Sequence, residues 1–249
     1  MDPVLHDQYT MERYKEGLTG QRKDVPNPSF TFRKPVFKKK LNLPLASTNA
    51  RASDYLKKRK LNPIEFYYAD KFKHFCNTVK PTFESTKNDH ARIVIPLYDQ
   101  DNTLIGFQGR SLDSYVTPKY LTVMMSEDHP KIYGLNRINP SETIYVTEGP
   151  FDSHFLSNSI AMCGSDVDLR NYDFTFVYVY DNEPRSREII SKISKTIGQS
   201  QQVVIFPSEV HEKDINDMVL AGRDVQKLIE CNTYTGLEAK LKLQTWKRI

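Results

Sequence analysis

From Glu142 onward the chain alternates short apolar runs with amphipathic stretches, and this alternation restricts the fold more than any other feature of its 249 residues. Thr143-Ile144-Tyr145-Val146-Thr147 reads as a buried strand, Asp152 to Asn158 as a short helix, and Phe174 to Tyr180 as a strand of branched and aromatic residues. A helix is predicted from Ser186 to Ile197, stopped by Gly198, then a strand from Gln202 to Phe206, then a helix capped by Asp214 that runs to Leu220. The spacing of Leu237, Leu241 and Leu243 predicts a last helix from about Gly236 to Trp246. Strands alternating with helices require right-handed crossovers, which yield a largely parallel sheet with helices on both faces. The expected class is therefore α/β, with this sheet over residues 141–225 and C-terminal helices over 226–249.

Three acidic clusters fall at the C-terminal ends of three of these strands, where open α/β sheets place their ligands. They are Glu148 with Asp152, Asp181 with Glu183, and Asp214 with Asp217; Asp181 lies 33 residues after Glu148, and Asp214 lies 33 after Asp181. A crossover unit is about 30 or more residues long, so equal spacing predicts each cluster at the same sheet edge, one crossover apart. Converging carboxylates repel one another and persist where they hold metal or take up protons. An oxygen-only donor set suits Mg²⁺ or Mn²⁺, ions that in turn hold phosphates. Each cluster also has a purely local reading: Asp152 and Asp214 as helix caps, Glu183 as the partner of Arg185 or Arg187.

Upstream, Arg92 to Tyr98 and Leu104 to Arg110 flank a polar turn at 99–102, a hairpin signature, and Lys119 to Val123 is a plausible third strand. The stretch Ile132 to Asn136 reads as a connection. A helix should begin near Ala50, capped by Ser53 or Asp54, and run through Leu56. Residues 1–49 read as an extended basic linker, Pro- and Lys-rich from Thr19, with a short helix at Leu5 to Lys15. Residues 50–140 would then form a smaller mixed α+β basic subdomain. The first 90 residues carry 18 Lys and Arg against 10 Asp and Glu, which points to a polyanionic partner such as nucleic acid. Cys76, Cys163 and Cys231 stand singly, so neither a disulfide framework nor structural zinc is expected. There is no run of about 18 apolar residues and no signal-peptide pattern, so a soluble protein without a membrane partner is expected.

At Glu148-Gly149, Asp181-Asn182-Glu183 and Lys213-Asp214-Ile215-Asn216-Asp217 the chain resembles the Toprim domain of primases, topoisomerases and related nucleases. It departs from the usual Asp-x-Asp at the second motif, where Glu183 is one methylene longer. Upstream, Gly106-Phe107-Gln108-Gly109-Arg110, Pro118-Lys119-Tyr120-Leu121 and Lys131-Ile132-Tyr133-Gly134-Leu135 are similar to the signature preceding Toprim in bacterial and phage primases. The fullest resemblance is to the primases of T-even bacteriophages, over most of residues 50–249.

That resemblance implies a primase catalytic core, making short RNA primers on single-stranded DNA from ribonucleoside triphosphates beside a replicative helicase, in the host cytoplasm. Glu148, Asp181, Glu183 and Asp214 would be catalytic and, with Asp217, hold Mg²⁺ or Mn²⁺ for two-metal phosphoryl transfer. Gly149, Asp152, Arg185 and Lys213 would support them. Arg110, Lys119 and Lys131 would steer nucleotide and template phosphates, and Arg51, Lys57, Lys58, Arg59 and Lys60 would contact nucleic acid along a basic groove. Such primases normally begin with a cysteine-rich zinc ribbon that is missing here, so a zinc-ribbon protein in trans is one implied partner. A Toprim nuclease, or a non-catalytic DNA or helicase adaptor, are the alternatives.

Overall fold

The computed structural model describes residues 4, 6–9, 11, 41–164, 167–169 and 171–249. It divides into two units, Met1–Phe37 and Lys38–Ile249. In the first unit, residues 4, 6–9 and 11 are helical; the remainder of the helix expected at 5–15, and the linker from 19 to 40, lie outside the described residues.

In the second unit, residues 41–49 are packed rather than extended as a linker. Leu41 and Ala46 are buried, Leu45 bridges Tyr67, and Ala46 N–H donates to Phe66 O at 2.8 Å, because the few apolar residues here have a core to reach. Helix α1 (Ala50–Lys58) is capped by Asn49, whose side chain accepts from Ala52 N–H at 3.0 Å, and not by Ser53 or Asp54. After it come strand β1 (Tyr67–Ala69), helix α2 (Phe72–Val79) and strands β2 (Arg92–Tyr98), β3 (Leu104–Ser111) and β4 (Tyr120–Met124). The strands form an antiparallel sheet in the order β1-β2-β3-β4. The predicted hairpin is present, with Asp99 Oδ1 accepting from Asp101 and Thr103 N–H at 3.0 and 2.8 Å across the turn.

Both faces of β2 are buried, which accounts for its unbroken apolar run. Ile93, Ile95 and Leu97 join Leu56 and Phe66 on one face, while Val94 meets Phe72, Phe75 and Phe107 on the other. Phe72 lies so close to β3 that a Cβ at position 109 would stand 2.3 Å from its ring, and Gly109 removes that clash. The aromatic residues around 66–75 are thus core.

The larger sheet has six strands, β5 (Ile132–Tyr133), β6 (Ile144–Thr147), β7 (Ser159–Met162), β8 (Phe176–Val179), β9 (Gln202–Val204) and β10 (Thr233–Tyr234), in the order β10-β9-β8-β6-β7-β5. Strands β6 to β9 are parallel, and β5 and β10 close the edges antiparallel. Its helices are α3 (Pro150–Ser153), α4 (Arg187–Gly198), α5 (Ile215–Leu220), α6 (Val225–Cys231) and α7 (Gly236–Trp246). Side chains alternate along the strands: Tyr180 and Val203 pack with Ile189, Ile193, Ala239 and Leu243 under α4 and α7, while Val177, Val179 and Val204 pack with Met218 and Ile229 under α5 and α6. Helices therefore cover both faces, as the alternation predicted.

Several details differ from the sequence reading. The stretch at Ile132 is an edge strand, because two residues suffice to pair with β7. Strand β7 itself, poor in branched residues, went unread, so two connections rather than one separate β6 from β8. The helix expected at Asp152 to Asn158 is the single turn α3, begun by Pro150. On α7, Leu237 and Leu241 are exposed, and Ala239 and Leu243 make the buried face. The sheet also passes both ends of the 141–225 span through β5 and β10. Among the described residues no helix is long and apolar enough to cross a membrane.

Candidate active site

The strand order β9-β8-β6 brings the three acidic clusters to one sheet edge. Glu148 directly follows β6, and Asp181 stands two residues beyond β8. Asp214 is reached only after the loop 205–213 has returned to this edge, where it caps α5 by accepting from Asp217 N–H at 2.8 Å. Asn182 fastens that loop. Its backbone N–H donates to Lys213 O at 2.7 Å, its Nδ2 donates to Val210 O and Glu212 O at 2.8 and 3.1 Å, and its Oδ1 accepts from Trp246 Nε1 at 3.1 Å.

Burial and neighbouring charge raise the pKa of Asp152, Asp181 and Asp217. Burial, then repulsion from Glu148 and Asp214, pushes Asp181 up to about 7, with Lys213 pulling the other way. Asp152 is also pushed up to about 7 by burial and by Asp214 and Asp181, although Asn216 N–H donates to its Oδ1 at 3.0 Å and Arg110 opposes the shift. Asp217 is raised by burial and by Asp214. A Cβ at position 149 would lie 2.8 Å from Asp152 Oδ2, so a larger residue there would have to displace that carboxylate. Sequence reasoning had Asp152 as a support; the structure makes it a fourth interacting acid.

Two lysines balance this charge. Lys192 Nζ, on α4, lies 2.6 Å from Glu148 Oε1 and 2.8 Å from Glu188 Oε1. Burial pulls its pKa down, but the two glutamates outweigh burial and hold it at about 12. Lys213 Nζ pairs with Glu183 at 3.0 Å, so Glu183 serves neither Arg185, which is exposed, nor Arg187. The donor set of Glu148, Asp152, Asp181 and Asp214 is oxygen only, which fits a hard divalent cation. Among the described residues no three His, Cys, Asp or Glu side chains stand in a group that could hold an ion, and two of the expected ligands face lysines instead.

The expected basic residues separate into distinct environments. Arg110 is buried; it donates to Tyr55 Oη at 2.8 Å, contacts Tyr120 Oη, and lies 5.1 Å from the Phe151 ring centroid, beneath the acids rather than open to a ligand. Lys119 is exposed, its pKa lowered by partial burial and by Arg110 and Arg59 while Asp214 opposes, which places it in the field of the site. Lys131 lines a separate cleft with Glu127 and Asp128, not the one containing Glu148. Arg51 pairs with Asp113, and Lys60 Nζ donates to Val219 O at 2.7 Å. Arg59 Nη1 donates to Asn216 Oδ1, and Asn216 Nδ2 donates to Arg59 O, both at 2.8 Å. Arg59 and Lys60 thus join α1 to α5. Of that run, Lys57 and Lys58 are exposed, and their side chains make no hydrogen bond or ion pair with a described residue.

Sequence reasoning missed Asn182, Asn216 and Lys192. Asn182 and Asn216 sit inside the quoted motifs, where their neighbouring acids drew attention. For Lys192 the local signal was its i,i+4 spacing from Glu188.

This arrangement is the fold of the RNA polymerase domain of bacterial-type DNA primases. It matches the zinc-binding and RNA polymerase domains of Aquifex aeolicus primase at a TM-score of 0.55 and 20% identity, over 75% of this chain and 57% of that one. It matches the RNA polymerase domain of Mycobacterium tuberculosis primase, solved in complex with double-stranded DNA, at 0.53 and 18%, over 73% of each chain. In sequence the chain resembles the DNA primase of Enterobacteria phage T4, at 29% identity over all of this chain and 76% of that protein, which bears out the resemblance to T-even phage primases. No family model matches.

Proposed function

We propose that this chain is the catalytic core of a DNA primase, a nucleotidyltransferase that makes short RNA primers on single-stranded DNA. The observation that carries the reading is the meeting of Glu148, Asp152, Asp181 and Asp214 at one sheet edge within a primase fold. Residues 141–225 would be its Toprim part and residues 50–140 its N-terminal subdomain.

In the reaction a ribonucleotide 3′-hydroxyl oxygen bonds the α-phosphorus of the next nucleotide, the hydroxyl loses its proton, and pyrophosphate departs. Glu148, Asp181 and Asp214, with Glu183 and Asp217 beside them, would hold Mg²⁺ or Mn²⁺. Such ions lower the pKa of the hydroxyl and take up charge on the phosphates. The chain's own contribution is to keep these carboxylates at one edge and to aim Lys119 and Lys213 across it. Arg110 sets the floor through Tyr55 and Tyr120. Lys57 and Lys58 would meet the template backbone. Ribonucleoside triphosphates, a replicative helicase and a zinc-ribbon protein in trans are the proposed partners, in a host cytoplasm if the chain is of phage origin.

The test is primer synthesis from labelled ribonucleoside triphosphates on mixed-sequence single-stranded DNA with Mg²⁺, with and without the helicase and a zinc-ribbon protein. Short RNA that disappears in Asp181→Asn is expected. DNA cleavage without ribonucleotides, or DNA retention without synthesis, would instead mean a nuclease or an adaptor.

A further inference from the structure

Arg92, the first residue of β2, is 3% exposed. A buried guanidinium is costly unless hydrogen bonds replace the water it gives up, and a carboxylate is its usual partner. Among the described residues Arg92 pairs with no carboxylate, and its donors go to the main chain. Nη1 donates to Gly109 O and to Lys119 O, both at 3.0 Å, and Nη2 donates to Pro118 O at 2.9 Å. The guanidinium carbon lies 5.6 Å from the centroid of the Phe72 ring.

These three acceptors belong to the place where the chain re-enters the small sheet. Residues 112–119 are irregular, and Pro118 has no N–H to give to a ladder, so β4 starts only at Tyr120. Ser111 N–H holds Lys119 O at 2.9 Å, and Arg92 supplies the remaining contacts. One planar fork thus joins two consecutive carbonyls, at 118 and 119, to Gly109 of β3. A lysine has no such fork and could not hold all three. Arg92 works from the Phe72 face of the sheet. Arg110, next to Ile93 in register, lies on the other face beneath the acids, and Lys119 stands in the field of Arg110 and Asp214. Buried as it is, Arg92 reaches the acidic edge only through the main chain that carries Lys119.

We propose that Arg92 is a positioning residue for Lys119: by fixing the carbonyls of Pro118 and Lys119 it aims the exposed Lys119 ammonium across the acidic edge at nucleotide phosphates. The proposal rests on the phosphate-steering reading of Lys119 and adds the group that fixes its direction. It also accounts for a cation placed where no ligand can touch it, since the fork is used for its shape.

A double-mutant cycle of Arg92→Lys and Lys119→Ala tests it, read as ATP affinity in Mg²⁺ by calorimetry and as the KM for ATP in primer synthesis. Lys119→Ala should weaken ATP about tenfold, the loss of one charge-assisted hydrogen bond. Arg92→Lys keeps the charge but loses the fork, so it should weaken ATP about threefold and raise KM with kcat nearly unchanged. In the double variant the effect of Arg92→Lys should vanish, leaving the affinity of Lys119→Ala alone. A merely structural arginine would instead multiply the two losses to about thirtyfold, and that result overturns the proposal, as does unchanged affinity in Lys119→Ala. Should Arg92→Lys fail to fold, nitrogen-15 spectra of the unaltered chain decide: a fixed fork gives resolved Arg92 Nη signals, and a single averaged signal overturns the proposal. Failure of the two readings is separable. Non-additive ATP binding without primer synthesis removes the polymerase and keeps the positioning role, whereas primer synthesis with multiplied KM effects does the reverse.

Discussion

Asp152 and Asp181 are the residues whose chemistry departs furthest from that of a free side chain. Both are pushed up to about 7 from the ordinary carboxylate value of 3.8, so between these values the metal-free fold binds more protons than the unfolded chain. The stability they contribute is complete below the unfolded pKa and is lost as pH rises through about 7. Asp181→Asn cannot ionise, so in chelator it should melt close to the unaltered chain near about pH 4 and above it near about pH 8, by at least about 1 kcal/mol. Thermal unfolding across that range checks this, and a difference that stays flat with pH would count against it. Mg²⁺ should reverse the order at about pH 8, since it stabilises only the chain that keeps the full carboxylate set. Lys192→Met removes the counter-charge of Glu148 and should cost the metal-free protein about 1 kcal/mol, read by denaturant unfolding; no loss would show the pair to be energetically idle.

At the scale of elements, the loop 205–213 is the decisive piece, because it carries Asp214 back to the edge shared by β6 and β8. Asn182 holds it through two carbonyls and is itself held by Trp246 of α7. Asn182→Ala leaves these buried groups without partners and should destabilise the fold by about 2–3 kcal/mol, with faster amide hydrogen exchange at 207–214 than elsewhere. Uniform exchange across the chain would mean that the loop does not depend on this side chain. Helix α7 matters in the same region. Leu243 is 5% exposed against Ile189 and Ile193 of α4, and Leu243→Ala should cost about 2–5 kcal/mol, whereas Leu241→Ala, at an exposed position, should cost under about 0.5 kcal/mol. Equal melting temperatures for the two variants would contradict the packing described.

For the whole molecule, the polarised charge becomes selective once folded. Arg51, Arg59 and Lys60 pair within the protein and Arg110 is buried, so the basic N-terminal composition reduces to a smaller set of exposed cations that includes Lys57, Lys58 and Lys119. If Lys57 and Lys58 contact the template, replacing both by Ala should lower the slope of log affinity for single-stranded DNA against log salt by about 1.4, while Arg59→Ala should act mainly on stability. Filter binding over a salt series distinguishes these outcomes, and an unchanged slope in the double variant would move the template path elsewhere. The small antiparallel sheet and the larger one also share a core, in which Phe66, Ile93 and Met124 lie with Phe151 and Ala161. Movement of one sheet against the other would have to disturb that cluster.

What the sequence determined alone was local and periodic. The strand and helix alternation after Glu142, the hairpin at 92–110, the Asp214 cap and the 33-residue spacing each depend on residues close together in the chain, and each points to the α/β sheet and its acidic edge. Tertiary structure decided how these charges are used. Whether Glu148 faces a metal position or Lys192, and whether Arg59 meets a phosphate or Asn216, depend on contacts between residues far apart in sequence. Such contacts leave no period behind. A carboxylate or a lysine satisfies composition equally well in either role, and only the dielectric and the partners around it in the folded chain choose between them.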